Sequence, residues 1–288
     1  MAIELSTPAV GGLGDVVDAL RSWQDDASPM QLHPGDLGWH WRFGEETVAA
    51  AVRMWSRDRE LLAIGLLDSP DVLRMTVAPQ VWRDDELAHQ LVADVSDPAR
   101  GVLPTGKASV EAPNGTRVQE LLSDARWRAG EPWTPLRRDL AEPVERTGLR
   151  IEAIAAGQES EFTAVHRSAW ASTRFTDELW RAMAAGLPYA DARCLLARDD
   201  QGVAVAGVTV WSAGPAKPGL IEPLGVHAAH RRRGYATAIC VAAAAELQEL
   251  GASSALVCTQ SARTSAVATY KSAGFQQLPE RLDRSRDS

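Results

Sequence analysis

The sequence predicts a mixed α/β layer domain present in two tandem copies, and three observations carry that expectation. The second half alternates apolar runs of strand length with helical periodicities. A weaker echo of the same pattern recurs in the first half at a nearly constant spacing. The composition is that of a globular chain: of 288 residues, 45% are hydrophobic and 24% charged, enough to build one large or two medium domains.

Taken in order, residues 150–157 (RIEAIAAG) read as a strand. Helical periods run through 159–170 (ESEFTAVHRSAW) and 175–186 (FTDELWRAMAAG), the second closed by Gly186. Two apolar strands then flank Asp199-Asp200-Gln201-Gly202, which is hairpin chemistry. A further strand, GLIEPLGV (219–226), carries Pro223 and Gly225, which is how a bulge reads in sequence. Ile239, Ala243, Leu247 and Leu250 fall on one helical face, and Gly251 supplies the C-cap. SALVCT (254–259) is a buried strand, SAVATYKSAG a helix stopping at Gly274, and FQQLP begins the last strand. That order makes a mixed α/β layer domain.

In the first half, TVAPQVWRDDELAHQL (76–91) lies on GVHAAHRRRGYATAIC (225–240), pairing Val77 with Val226. LLSDARW (121–127) lies on TYKSAGF (269–275) at almost the same spacing, and the two segments end alike at Leu140 and Ser288. This predicts a tandem duplication, a first copy over 1–146 and a second over 147–288, joined within EPVERTGLR (142–150), where Pro, Gly and charge interrupt the patterns.

Charge narrows the partner classes. With 30 basic and 38 acidic residues the formal net charge is −8, which argues against nucleic acid or an anionic membrane as the main partner. No stretch approaches the about 18 unbroken apolar residues of a membrane span, and MAIELSTPAV has no basic leader before an apolar run. Cys194, Cys240 and Cys258 show no spacing of a zinc site or disulfide framework. The expectation is a cytoplasmic protein.

Against that acidic background HRRRGYATAI (230–239) sets three arginines and a glycine at the mouth of a helix. A helix N-terminus offers unpaired N–H donors and a positive dipole end; a glycine there admits a phosphate to the backbone, and arginines add charge-assisted bonds. The corresponding first-half residues are Trp82, Arg83, Asp84, Asp85, Glu86 and Leu87, which reverse the charge and remove the glycine. The second half is built to hold a polyanion and the first to repel one. Neither a Walker loop nor G-x-G-x-x-G is present, and GGLGD (11–15) follows no apolar strand. His227 and His230 lack further ligands at metal spacing, so no metal is expected, and no G-x-S-x-G supports a serine hydrolase.

RRRGYA after a strand resembles the GNAT superfamily of acyl-CoA N-acyltransferases, whose motif Arg/Gln-x-x-Gly-x-Gly/Ala is filled by Arg231, Gly234 and Ala236. The resemblance continues through the bulged strand and a later helix with Tyr270, Gly274 and Phe275 in Tyr-x-x-x-Gly-Phe, and covers nearly all of 149–288. Arg263 departs from it, standing where the family often has Asn. The whole chain resembles a tandem GNAT protein with a degenerate first copy, an arrangement similar to that of mycothiol synthases. That implies mixed, mostly antiparallel sheets flanked by helices, and direct transfer of an acetyl group from acetyl-CoA to a primary amine in the second copy.

Acyl transfer to an amine needs a neutral amine, a polarised carbonyl and a proton for the departing thiolate. Glu222, a carboxylate in an apolar strand, is the candidate for the first; a strand-end glutamate paired with an arginine or facing solvent is the alternative. Backbone N–H groups around Leu224, Gly225 and Val226 would polarise the carbonyl. Tyr270, at the family position, is the candidate acid. Arg231, Arg232, Arg233, Gly234 and Ala236 would cradle the pyrophosphate of coenzyme A, with Tyr235 flanking them. Trp170, Phe175 and Trp180, on the first two helices and their loop, form an aromatic acceptor wall or pack in the core. GWHWRFG (38–44) and the tryptophans Trp23, Trp55, Trp82, Trp127 and Trp133 read as scaffold, which could shape the acceptor groove. The expected partner is a small-molecule amine, in a monomer or homodimer. The alternatives are a non-catalytic acyl-CoA sensor or scaffold, and an acetyltransferase of protein N-termini or lysines.

Overall fold

The computed structural model describes residues 2–145 and 147–287. Arg146, inside the expected junction, and Ser288, the expected end of the second copy, lie outside the described residues. In chain order the elements are β1 (Glu4–Ser6), α1 (Leu13–Trp23), α2 (Pro34–His40), α3 (Glu45–Ala51), β2 (Val52–Arg57), β3 (Glu60–Ser69), β4 (Val72–Val77), α4 (Asp85–Ser96), β5 (Ala108–Glu111), α5 (Arg117–Asp124) and β6 (Arg128–Asp139). They continue as β7 (Arg150–Ala153), α6 (Glu159–Trp170), α7 (Asp177–Ala184), β8 (Ala192–Arg198), β9 (Ala204–Trp211), β10 (Gly219–Val226), α8 (Tyr235–Glu249), β11 (Ser254–Gln260), α9 (Thr264–Ser272), β12 (Gln276–Gln277) and β13 (Arg281–Arg286). The second series repeats the first, strand, helices, three strands, helix, strand, helix, strand, except that its end is split into two strands, β12 and β13.

The chain divides into two compact units, each assembled from separate stretches: residues 1–32, 45–133 and 280–288 in one, 33–44 and 134–279 in the other. In the first unit β1 to β4 pair antiparallel in sequence, and β4 pairs parallel with β5. In the second β7 to β10 do the same, and β10 pairs parallel with β11. The layered α/β architecture and its repetition are therefore as the sequence predicts.

The last strands are exchanged. β13, from the C-terminal end of the chain, pairs with β5 in the first unit. In the second unit β6 lies beside β11, and Leu140 N–H bonds the Ser253 carbonyl at 3.1 Å. The sequence does not announce β13: RLDRSR has no apolar alternation because its inward positions carry charge. Arg281 pairs with Glu111 at 3.0 Å and with Asp283 at 2.8 Å, and Arg74 holds Glu111 at 2.9 Å. Such a network keeps buried charges compensated, which an apolar pattern search passes over.

In the second unit, α6 and α8 pack on opposite faces of β9. Phe162 of α6 lies against Gly207, while Ile239, Ala243 and Leu247 of α8 share a core with Val208 and Val210. Residues 33–44 are tied to the same unit. The His33 ring and the Asp36 carboxylate form a reciprocal cap on α2, with His33 Nε2 3.1 Å from the Pro218 carbonyl. Gly35 and Gly38 lie flat on Trp211, where any Cβ would strike the indole. Gly186 takes Trp41 in the same way, so its lack of a side chain serves close approach.

Candidate functional site

The site is built on the end of β10 and the start of α8. β10 pairs with β11 at Gly219 and Leu220, and its register with β9 shifts between Ile221 and Leu224, the bulge expected around Pro223. The Glu222–Pro223 peptide is cis. Beyond Val226 a short 3-10 turn, Ala228–His230, is capped by the His227 ring. Arg232 and Gly234 then take left-handed conformations, with φ of 62° and 84°, and α8 begins.

Among the described residues no side chain caps that helix. Its first-turn N–H groups are therefore available to an anion, with the dipole behind them. Arg231, Arg232, Arg233 and Gly234 are exposed, Tyr235 and Ala236 half-buried, and nothing stands within 4 Å of the position a Gly234 Cβ would take. The fit to a diphosphate is good: donors, positive charge and an open approach coincide. The Arg231 guanidinium is already engaged, however, donating to the Ala169 carbonyl at 2.6 Å.

The equivalent helix of the first unit is closed by its own sequence. The Asp84 carboxylate accepts from Leu87 N–H at 2.8 Å, and Asp85 and Glu86 follow in the first turn. Arg83 is drawn away to Glu120 at 2.5 Å. A carboxylate occupies the place where the second unit leaves donors open.

Glu222 is half-buried on β10, and the Trp211 indole donates to its backbone carbonyl at 2.6 Å. Tyr270 on α9 is 9% exposed, its ring 6.0 Å from that of Phe275. Burial pushes the Tyr270 phenol well above the usual tyrosine range, and the neighbouring Cys240, Glu222 and Cys258 add to the rise. Glu222 and Tyr270 are thus within electrostatic reach of one another, and the phenol is held protonated. Arg263 lies at the start of α9, its Nε donating to Gln260 at 3.0 Å.

The three aromatic candidates separate. Trp170 is 41% exposed at the end of α6, against Gly225, where a Cβ would meet its six-membered ring. The His166 ring stacks on it at 4.4 Å and 18°, and Phe175 lies 4.6 Å from His166. Trp180 belongs to another group: it is 2% exposed, donates to the Cys194 sulfur at 3.4 Å, and meets Tyr189 edge-on at 5.9 Å.

Sequence reasoning passed over His166, Trp39 and Arg42. Trp39, from GWHWRFG, lies 5.0 Å from Phe175 and 5.5 Å from His166, and Arg42 sits 4.2 Å over Trp39 and over Phe43. Burial, with the charges of Arg42 and Arg167, lowers the His166 pKa to about 4, so its ring is neutral at neutral pH. Its Nδ1 is buried without a hydrogen-bond partner among the described residues. The one available signal was aromatic density in residues 39–43; their destination in the second unit is a long-range fact.

Among the described residues no group of three His, Cys, Asp or Glu is placed to hold a metal, and no helix is long and apolar enough to cross a membrane. Residues 155–275 match the Acetyltransferase (GNAT) family. No curated protein sequence matches the chain. Among solved structures, a GCN5-related N-acetyltransferase from Sphaerobacter thermophilus is similar at TM-score 0.61 and 18% identity, over 99% of this chain and 95% of that one. A tandem GNAT protein from the clavulanic acid biosynthesis pathway is similar at TM-score 0.65 and 14% identity, over 99% and 98%. A GNAT-family acetyltransferase from Colwellia psychrerythraea matches at TM-score 0.62 and 12% identity over the full length of both chains. At these identities the likeness is one of fold.

Proposed function

Because the chain carries a GNAT-family acetyltransferase domain over residues 155–275, we propose that its second unit transfers an acetyl group from acetyl-CoA to a primary amine of a small molecule. The observation that carries this reading is the uncapped N-terminus of α8 behind Gly234 and three arginines, set against the Asp84-capped counterpart in the first unit. The first copy accordingly serves as a scaffold that binds no coenzyme A.

When bound, acetyl-CoA supplies the acetyl group as a thioester. The residues of the chain have four tasks. The α8 first turn with Arg232 and Arg233 binds the diphosphate; N–H groups at Leu224 to Val226, past the bulge, where β10 pairs with β9 and its pairing with β11 has ended, polarise the thioester carbonyl. Glu222 takes a proton from the acceptor ammonium, directly or through water, so that the amine attacks uncharged. As the carbon–sulfur bond breaks, Tyr270, kept protonated by burial, gives its phenolic proton to the departing thiolate, and the proton shed by the newly acylated nitrogen restores the phenol through solvent.

The test is calorimetric titration of coenzyme A into the full chain and into Gly234→Asp. At a φ of 84° an aspartate is tolerated better than a larger side chain, and its carboxylate meets the phosphates. The reading expects binding by the wild type and a loss of about a hundredfold or more in the variant, as for like charges brought together at a binding interface. Equal binding by both proteins would place the cofactor elsewhere.

A further inference from the structure

The aromatic group beside β10 stands directly next to the proposed reaction site, yet it is completed by residues from the N-terminal part of the chain. Trp170 stacks on the His166 ring, its six-membered ring lies against Gly225, and the residue is still 41% exposed. Phe43 is 47% exposed and Trp39 half-buried. An open aromatic surface of this kind, adjoining polar groups with a chemical task, is the ordinary make-up of a small-molecule subsite.

The chemistry of the wall restricts what it can hold. Arg42 already lies over Trp39 and Phe43 at 4.2 Å, so one face of each ring is occupied by a cation. Its charge, with that of Arg167, also acts on His166 in the disfavoured direction for a second cation. Arg42 disfavours a second cation at this edge, whereas a flat ring can stack on the exposed part of Trp170 and carry its amine toward Gly225.

Resting on the acetyltransferase reading, we propose that Trp39, His166 and Trp170, backed by the buried Phe175 and with Arg42 at their edge, form the acceptor subsite and select a primary amine borne on a flat aromatic body over aliphatic and polycationic amines. Residues 33–44 are then part of the catalytic machinery, although they precede the GNAT domain by more than a hundred positions in sequence.

The test follows thiol release from acetyl-CoA with 2-phenylethylamine, n-hexylamine and spermidine, in the wild type, Trp170→Ala and Arg42→Gln, alongside calorimetric coenzyme A binding. The expected result is a kcat/KM for 2-phenylethylamine about tenfold or more above the other two, a margin typical of one well-filled pocket contact. Trp170→Ala should raise KM for 2-phenylethylamine and erase the preference, with coenzyme A affinity within about twofold of wild type, because uniform acceptor binding alone is removed. Arg42→Gln should raise spermidine turnover, a gain that loss of structure cannot produce. A preference for spermidine, or an equal fall for all three amines in Trp170→Ala, overturns the subsite and leaves acetyl transfer standing. Coenzyme A binding without turnover of any amine overturns the acetyltransferase reading itself.

Discussion

Arg231 donates from Nη2 to the backbone carbonyl of Ala169 at 2.6 Å, closing the C-terminal end of α6 with a side chain from the loop that leads into α8. Two further contacts run the same way: Ala228 N–H donates to Ser168 Oγ at 3.0 Å, and Gly225 packs on Ala169 and Trp170. The last turn of α6 and the β10–α8 loop are thereby fastened together. A cation at a helix C-terminus is favourable, and this one also sets where Trp170 lies.

Arg231→Ala should therefore act on the acceptor more than on the cofactor. The expected outcome is a several-fold rise in acceptor KM and an altered fluorescence component assignable to Trp170 by comparison with Trp170→Phe. Arg232→Ala and Arg233→Ala should instead weaken coenzyme A binding and flatten its salt dependence. If Arg231→Ala shifts coenzyme A affinity as much as the other two and leaves the Trp170 signal unchanged, its role is that of a phosphate ligand.

The fold was legible wherever periodicity carried it. α6, α8 and the strands around the 199–202 turn follow from apolar spacing alone, and Gly234 proves to be left-handed, as a loop glycine before a helix suggests. What could not be read depends on distance in space. β13 hides its burial behind Arg281 and Asp283, residues 33–44 give no sign of which unit they join, and His166 looks like any helical histidine until Trp39 and Trp170 are set against it. Trp180 matched the spacing of an acceptor wall, but its indole points into a buried group with Cys194 and Tyr189.

The contrast between the two helix N-termini predicts opposite effects of a carboxylate. Asp84→Ala removes a cap and should cost the first unit about 1 kcal/mol. Urea unfolding with a probe in that unit measures it, and an unchanged midpoint would mean that the Asp84–Leu87 bond contributes nothing.

His166 gives stability a pH dependence of known sign. Its folded pKa is depressed to about 4, below that of the unfolded chain, chiefly by burial and then by Arg42 and Arg167. Its contribution is therefore fully present above the ordinary histidine pKa of about 6.5 and is lost as pH falls toward the folded value. Melting curves from pH 7.5 to 4.5 should show wild type losing more Tm than His166→Phe; parallel losses would remove His166 from the account.

Exchange of the last strands and of residues 33–44 means that neither sequence half holds a complete unit. A fragment of residues 147–288 lacks the β6 strand beside β11 and the α2 segment over Trp211, and should be insoluble or unfolded when made alone. Co-expression with residues 1–146 should rescue it. A stable, monomeric 147–288 fragment with cooperative unfolding would contradict the exchange.

The most direct test of the central claim is amine-dependent release of free thiol from acetyl-CoA by the wild type and by Tyr270→Phe, across a panel of primary amines. The account predicts release that requires an amine and falls by about 10² to 10⁴ in the variant, the range for a lost general acid. It also predicts that coenzyme A affinity is kept and that activity holds on the alkaline side, because the buried phenol stays protonated. Turnover undiminished in Tyr270→Phe would remove the assigned acid, and coenzyme A binding with no release on any amine would leave a binding protein in place of an enzyme.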